Sequence, residues 1–232
     1  MCGVLPPVLY KVLSRKYAER LVSDGDVMWS TLTWFQNDED AARGDASEGM
    51  RRYFPIKGLE ITRLLHNGRP DNTKSLHPDE GMISKAKQSD HIFIYSMTLD
   101  QTLDLGGGTD RVAVEIFDPP TFLQHVRDAV APHRSARPET LIHNDVKYWS
   151  PDNPPEEVWA LPDRLTMHKH HDYSVQKEYR LAFGTRANVF DFENIEGFVV
   201  HKDYRWPRLT LDPQGHRMRL RIGPLTDCCR LP

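Results

Sequence analysis

Ser174, Gln176, Glu178 and Arg180 have the residue types and the spacing to do chemistry. Strand alternation would put all four on one face. Val175, Tyr179, Leu181 and Phe183 occupy the alternate positions, with Lys177 as the exception. Such a row is either an exposed sheet face or a set of groups pointed into a cleft. A second set is carboxylate-rich: Asp38, Asp40, Asp45 and Glu48, beside Arg43, in a polar loop entered through Trp34 and Phe35. Polar loops held by rigid strands are common places for sites. With Glu178, these acids could also ligate Mg²⁺. A third set, His168, His170 and His171, has poor spacing for zinc, because adjacent histidines seldom both point at one ion. These histidines are expected to be solvated or to face a substrate. A fourth set, Arg217, Arg219 and Arg221, forms a basic strip on one face of a final strand. It is either a solvated edge or a phosphate-contacting surface.

Composition narrows the classes. The chain has 232 residues, 39% hydrophobic and 27% charged, with a net charge of −3. That reads as one globular domain, without a whole-chain preference for nucleic acid. No apolar run reaches membrane-spanning length, so no membrane partner is expected. MCGVLPP lacks the features of a signal peptide. Cys2, Cys228 and Cys229 make no disulfide framework, and a reducing cytoplasmic location is expected.

The elements that would position these residues follow from periodicity. Val8 to Val12 reads as a strand. Ser14 is placed as an N-cap, Tyr17, Ala18, Leu21 and Val22 make a helical face, and Gly25 stops the helix. Val27 to Leu32 alternates as a second strand. Residues Met50 to Asp90 are polar and rich in turn formers, so a loop insertion is expected around 55–90, with Ile61 to Leu65 as a short strand or helical turn within it. HIFIYSMTL reads as a central strand buried on both faces, with Ser96 and Thr98 polar at its end. RVAVEIF is a half-buried strand, and Asp118 caps a helix opened by Pro119 and Pro120. Ala131 to Asp163 reads as a surface excursion, with a strand-like island at Val146 to Trp149. GFVVH and HRMRLRIG are the last two strands.

The opening strand–helix–Gly–strand order (LYK, AERLVSDGDV, MWSTLTWF), together with Gln176-Lys177-Glu178 on a late strand, resembles the ADP-ribosyltransferase fold. FQNDEDAARGDASEG and YSVQKEYRLAF also resemble a group of poorly characterised bacterial and phage-defence proteins. The resemblance implies a single α+β domain over 1–232, with a mostly antiparallel split or two-sheet core, few helices and long loops. It also implies NAD as substrate. Glu178 would be the catalytic glutamate, stabilising the positive charge that builds on the ribose as nicotinamide leaves. Gln176 would orient the acceptor. Lys11, after Tyr10, stands where the first strand of that fold carries His or Arg, and lysine can donate only as a point charge. The hydroxyls are Ser30 and Thr31, or Ser96 and Thr98. Phe35 or Trp34 would stack on nicotinamide, and Arg43 with Asp45 and Glu48 would fix the loop through an internal ion pair.

The expected function is therefore transfer of ADP-ribose from NAD to a nucleic-acid or protein acceptor. The setting would be a toxin or phage-defence effector, with an antitoxin partner as a further expectation. The alternatives are a metal-dependent nuclease and a non-enzymatic nucleic-acid-binding module. Tyr10, Lys11, Ser30, Gln176 and Glu178 are expected to face one pocket. As a cleft-facing group with no obligatory partner, Glu178 is expected to support little of the core; the alternative is that it pairs with Arg180 or Arg43 to hold the sheet.

Overall fold

A computed structural model describes residues 3–37, 45, 47–55, 57–64, 69–104, 110–153, 161–203 and 216–232. In chain order its elements are β1 (Leu9–Ser14), α1 (Arg15–Asp24), β2 (Asp26–Thr31), α2 (Leu32–Asn37), β3 (Met50–Tyr53), β4 (Leu59–Leu64), β5 (Pro70–Leu76), β6 (Glu80–Ala86), β7 (Ile92–Thr98), β8 (Arg111–Ile116), α3 (Pro119–Val130), β9 (Arg137–Asp145), β10 (Lys147–Trp149), α4 (Pro162–Thr166), β11 (His168–His170), β12 (Glu178–Gly184), β13 (Ile195–His201), β14 (Arg217–Arg221) and β15 (Cys229–Arg230). The fold is α+β, with mostly antiparallel sheets and few helices. Among the described residues, no helix is long and apolar enough to cross a membrane.

The main sheet has eight strands and is organised on β7. Along one edge, β7 pairs with β12 over its whole length, from Glu178↔Thr98 to Gly184↔Ile92. Its other edge is shared. At one end β2 pairs through Ser30↔Ile94 and Thr31↔Phe93; at the other, β1 pairs through Tyr10↔Thr98. Between those pairs, Tyr95 to Met97 have no ladder partner on that side, and the sheet is split. The β1 branch continues to β8 and β15, and the β2 branch ends at β14.

Alternation in β7 and β12 decides what each face holds. Phe93, Tyr95, Met97, Tyr179, Leu181 and Phe183 enter one core with Trp29, under α1 and α3. There the Trp29 and Phe183 rings meet edge-on at 4.8 Å, a favoured aromatic geometry. The other face is apolar at one end, where Ile92, Ile94 and Ala182 join a second core. At the other end the same face carries Ser96, Thr98, Glu178 and Arg180, opposed as Glu178↔Thr98 and Arg180↔Ser96.

Two stretches depart from expectation. Residues 55–90, expected as a loop insertion, hold β4, β5 and β6; β4 and β5 form a hairpin, and β6 is the middle of a three-stranded sheet with β3 and β13. The sequence of β5, PDNTKSL, is polar and lacks the alternation that marks a strand, whereas β4, LEITRL, alternates Leu59 and Ile61 with Glu60 and Thr62 but is short and sits among turn formers. The supposed surface excursion contains β9, paired with β12 in the main sheet. Its pattern was hidden because its first residues are exposed while Leu141–His143 are covered. Elsewhere local signals hold. Asp118 Oδ1 accepts from the Thr121 amide at 3.1 Å to cap α3. Ser14 is extended at the start of α1 but makes no side-chain cap bond.

Gly25 ends α1 in the left-handed conformation (φ 62°). A Cβ there would lie 1.9 Å from the Gly223 carbonyl oxygen, so the turn joining the two sides of the split packs against backbone. Gly25→Ala should therefore lower stability by at least the ~1–2 kcal/mol of a left-handed non-glycine residue, read as a lower melting temperature. An unchanged melting temperature would contradict this packing.

Candidate functional site

The split in the sheet is a cleft of about 690 Å³. Tyr10, Lys11, Ser30, Phe35, Ser96, Gln176 and Glu178, all expected site residues, line it. They come from β1, β2, α2, β7, β12 and the turn before β12. Backbone at Tyr95–Met97 is left open by the missing ladder, and the Lys11 ammonium donates to the Ser96 carbonyl at 2.5 Å while lying 4.4 Å from the centre of the Tyr95 ring. Lys11 thus closes part of the gap that a paired strand would have filled.

Glu178 lies on the cleft floor, 7% exposed. One of its carboxylate oxygens accepts from Lys169 Nζ at 2.6 Å, the other from Arg180 Nε at 2.7 Å. Its amide donates to the Tyr148 hydroxyl at 2.8 Å. Arg180 continues into a bidentate pair with Glu48 at 2.5 and 3.0 Å and also donates to the Thr166 carbonyl at 2.8 Å. Lys169 also donates to Gln176 Oε1 at 2.8 Å. Two cations and two carboxylates are thus buried together as one connected, formally neutral cluster. Burial alone would raise the Glu178 carboxyl, but the charges of Arg180 and Lys169 and their hydrogen bonds outweigh it and hold it at about 2. Burial pushes Glu48 up, partly opposed by Arg180 and Lys169. Burial also raises the Tyr148 hydroxyl, to about 12, so it remains protonated.

Several expectations are corrected here. Gln176 and Glu178 do not share a strand face: residues His171–Gln176 form a 3₁₀ turn, Lys177 is left-handed (φ 42°), and β12 begins at Glu178. Both nevertheless reach the cleft, because the turn brings Gln176 onto Lys169. Glu178 has two charged partners, Lys169 and Arg180, so the expectation of no obligatory partner gives way to the alternative in which it pairs with Arg180. Thr31 is fully buried and absent from the cleft; alternation turns it away from Ser30, and its hydroxyl accepts from the Trp34 amide at 3.2 Å, capping α2. Of the four expected hydroxyl residues, Ser30, Ser96 and Thr98 line the cleft, and Thr98 already donates to the Gln176 carbonyl at 2.7 Å. Glu48 pairs with Arg180. Arg43, Asp38 and Asp40 lie outside the described residues. His168, expected to be solvated or substrate-facing, is buried.

The basic strip borders the same cleft. Arg217 stacks on Trp34, its guanidinium carbon 3.8 Å from the ring centre, and Arg219 pairs with Asp26 at 3.2 Å. Counting Lys11, Arg111, Lys169, Arg180, Arg217 and Arg219 against Asp26, Asp110 and Glu178, the lining is electropositive. It suits an anionic ligand flanked by aromatic rings. Of the acids in the alternative metal reading, Glu48 and Glu178 already accept from cations. Lys169 was the site residue least visible beforehand: in MHKHHD it is one polar residue among five, and nothing in its spacing marks it.

No protein-family model matches the chain, and no similarity was found to a curated protein or to a solved structure.

Two outcomes follow from the buried cluster. Replacing Arg180 with Met leaves both carboxylates without their guanidinium and should destabilise by about 3–5 kcal/mol, measured by denaturant unfolding; Lys169→Met, which spares the Arg180 pairs, should cost less. The second concerns pH. Folded Glu178 holds its proton less tightly than the unfolded chain, so its stabilisation is full above about pH 4.5 and is lost as pH falls toward about 2. That lowering corresponds to on the order of 3 kcal/mol. The stability gap between wild type and Glu178→Gln should therefore shrink on acidification through this window. Burial raises the Glu48 carboxyl, which works in the opposite direction, and since Glu48 shares Arg180 with Glu178 the same titration on Glu48→Gln separates its part.

Proposed function

We propose that the cleft binds NAD and that the protein transfers ADP-ribose from it to a macromolecular acceptor, nucleic acid or protein, as a toxin or phage-defence effector. The observation that carries this reading is the convergence of Tyr10, Lys11, Ser30, Phe35, Ser96, Gln176 and Glu178 on one cleft opened by a split in an antiparallel sheet. Its volume falls in the range of small-molecule sites.

Each group has a physical part in the proposal. Arg217 and Arg219 offer guanidinium forks to a pyrophosphate. Trp34 and Phe35 supply flat apolar surface for a ring. Ser30 and Ser96 offer hydroxyls to a ribose. Glu178 is ionised throughout the physiological range, and its carboxylate is fixed before any substrate arrives. A group that needs no reorganisation during the reaction is the most effective kind of charge stabiliser. Because Lys169 and Arg180 share that carboxylate, it acts on a cationic sugar by proximity within a neutral cluster, not as an isolated negative charge. Gln176 is held beside it through Lys169, and its part in the proposal is to orient the acceptor.

Release of nicotinamide from NAD, with nucleic acid or protein supplied as acceptor, tests the reading. Glu178→Gln should lower the rate by about 10²-fold, beyond what its loss of folded protein explains, so thermal unfolding is measured on the same sample. Arg217→Gln with Arg219→Gln should raise KM for NAD and leave kcat nearly unchanged, because these arginines touch the anion and not the breaking bond. Wild-type protein that consumes no NAD with any acceptor would overturn the reading.

A further inference from the structure

Outside the cleft, His125 on α3, Asp227 and Cys228 bring an imidazole nitrogen, a carboxylate oxygen and a thiol sulfur within 4.8 Å of one another. We propose that these three residues bind a divalent transition-metal ion of the zinc class.

The His125 ring carries the argument. Its Nδ1 lies 3.1 Å from the Ile222 carbonyl oxygen, which can only accept, so Nδ1 carries a hydrogen. Its Nε2 lies 3.0 Å from Asp227 Oδ2, a second acceptor. With Nδ1 protonated, a neutral ring turns an Nε2 lone pair toward a carboxylate, and the arrangement is stable only with a cation between them. That cation is a second ring proton or a metal ion. The fully buried Cys228 sulfur beside the pair completes a set of nitrogen, oxygen and sulfur donors that fits a metal; without one, its S–H is directed at the Leu225 carbonyl, 3.6 Å away. A ligating histidine whose other nitrogen donates to a backbone carbonyl is the usual outer arrangement of a metal site.

Nitrogen, oxygen and sulfur donors together select zinc-class ions over Mg²⁺ or Ca²⁺, which take oxygen alone. Metal–ligand bonds of about 2.0–2.3 Å require the three atoms to draw closer than 4.8 Å, and the Asp227 side chain, 55% exposed, has room to move inward. Three protein donors leave a fourth position for water. On binding, the Cys228 S–H bond breaks, its proton leaves to solvent and a sulfur–metal bond forms, with no change of oxidation state. Cys229, whose sulfur lies 3.8 Å from that of Cys228, falls outside the triad. Among the described residues the other candidate, His170, His171 and Asp172, is three consecutive residues with no buried donor and ties nothing distant together. The His125 group, by contrast, joins α3 to a segment 102 residues away.

The test uses the full chain, stripped with a chelator, dialysed, and titrated with Zn²⁺ or Co²⁺. One equivalent is expected to bind, Co²⁺ should give a thiolate-to-metal charge-transfer absorption, and Zn²⁺ should raise the melting temperature. Cys228→Ala should abolish the cobalt absorption, and His125→Gln should weaken zinc binding at least about tenfold. Cys229→Ala and the double variant His170→Ala, His171→Ala should keep both signals. If Cys228→Ala fails to fold, His125→Gln and Asp227→Asn, altered at partly exposed positions, decide by affinity alone. Absence of binding by wild type, a cobalt absorption that survives in Cys228→Ala, or zinc affinity unchanged in His125→Gln would each overturn the proposal and leave a proton-bridged ion pair.

Discussion

The Arg180 guanidinium is almost wholly out of water, and a cation there is tolerable only because carboxylates meet it on two sides. Removing charge from solvent costs several kcal/mol per ion even after relaxation, so neither carboxylate can drift without stranding the cation. The constraint reaches far along the chain. Glu48 is 132 residues from Arg180, and pairing them pins the segment before β3 against β12. Thr166 and Lys169 bring the α4–β11 segment to the same point. The cluster does more to fix which segments meet than to add net stability, since well-packed apolar residues could match its energy. What apolar residues could not do is hold a carboxylate ionised at the floor of a cleft.

The cleft exists because β7 has a partner change in the middle of one edge. An unpaired strand edge is normally a liability, open to pairing with another chain. Here the open stretch is three residues long, set back between β1 and β2, and one of its carbonyls is taken by Lys11. The same two strands and the Gly25 turn that join them therefore decide both the width of the opening and what lines it. On β12, alternation divides the labour: Tyr179, Leu181 and Phe183 anchor the strand in the aromatic core, while Glu178 and Arg180 are delivered to the other face.

Much of this could be read from residue order. Apolar runs on both faces of HIFIYSMTL mark a central strand, and the polar Ser96 and Thr98 at its end mark where the face changes character. Glycine after an amphipathic run marked the α1–β2 turn, and Asp118 before two prolines marked the start of α3. The misses have physical causes. A strand pattern was extended through Ser174 and Gln176 because alternating polarity looks the same in a strand and in a tight turn; Lys177, the one residue that broke the pattern, was the sign of a left-handed kink. Only a short strand or turn over Ile61 to Leu65 could be read where β4 lies, while β5 and the start of β9 are too polar to announce themselves, since their ladders are held by backbone bonds that no side chain reports. Lys169 and Glu48 were invisible as partners because pairing between distant residues is a property of topology.

The rim and the floor of the cleft differ in how far solvent reaches their charges. Arg217 and Arg219 are exposed arginines at the edge, Arg219 with nearly half of its side chain in water, so dissolved ions can gather around them and weaken their pull on an anion. At 0.15 M salt such screening acts over about 8 Å. Glu178, Arg180 and Glu48 are closed off from those ions and compensate one another internally. Ionic strength therefore acts as a dial on the field at the mouth while the electrostatics beneath stay fixed, so the protein keeps the same charged floor in dilute and in salty surroundings and differs only in how strongly its rim attracts an anion.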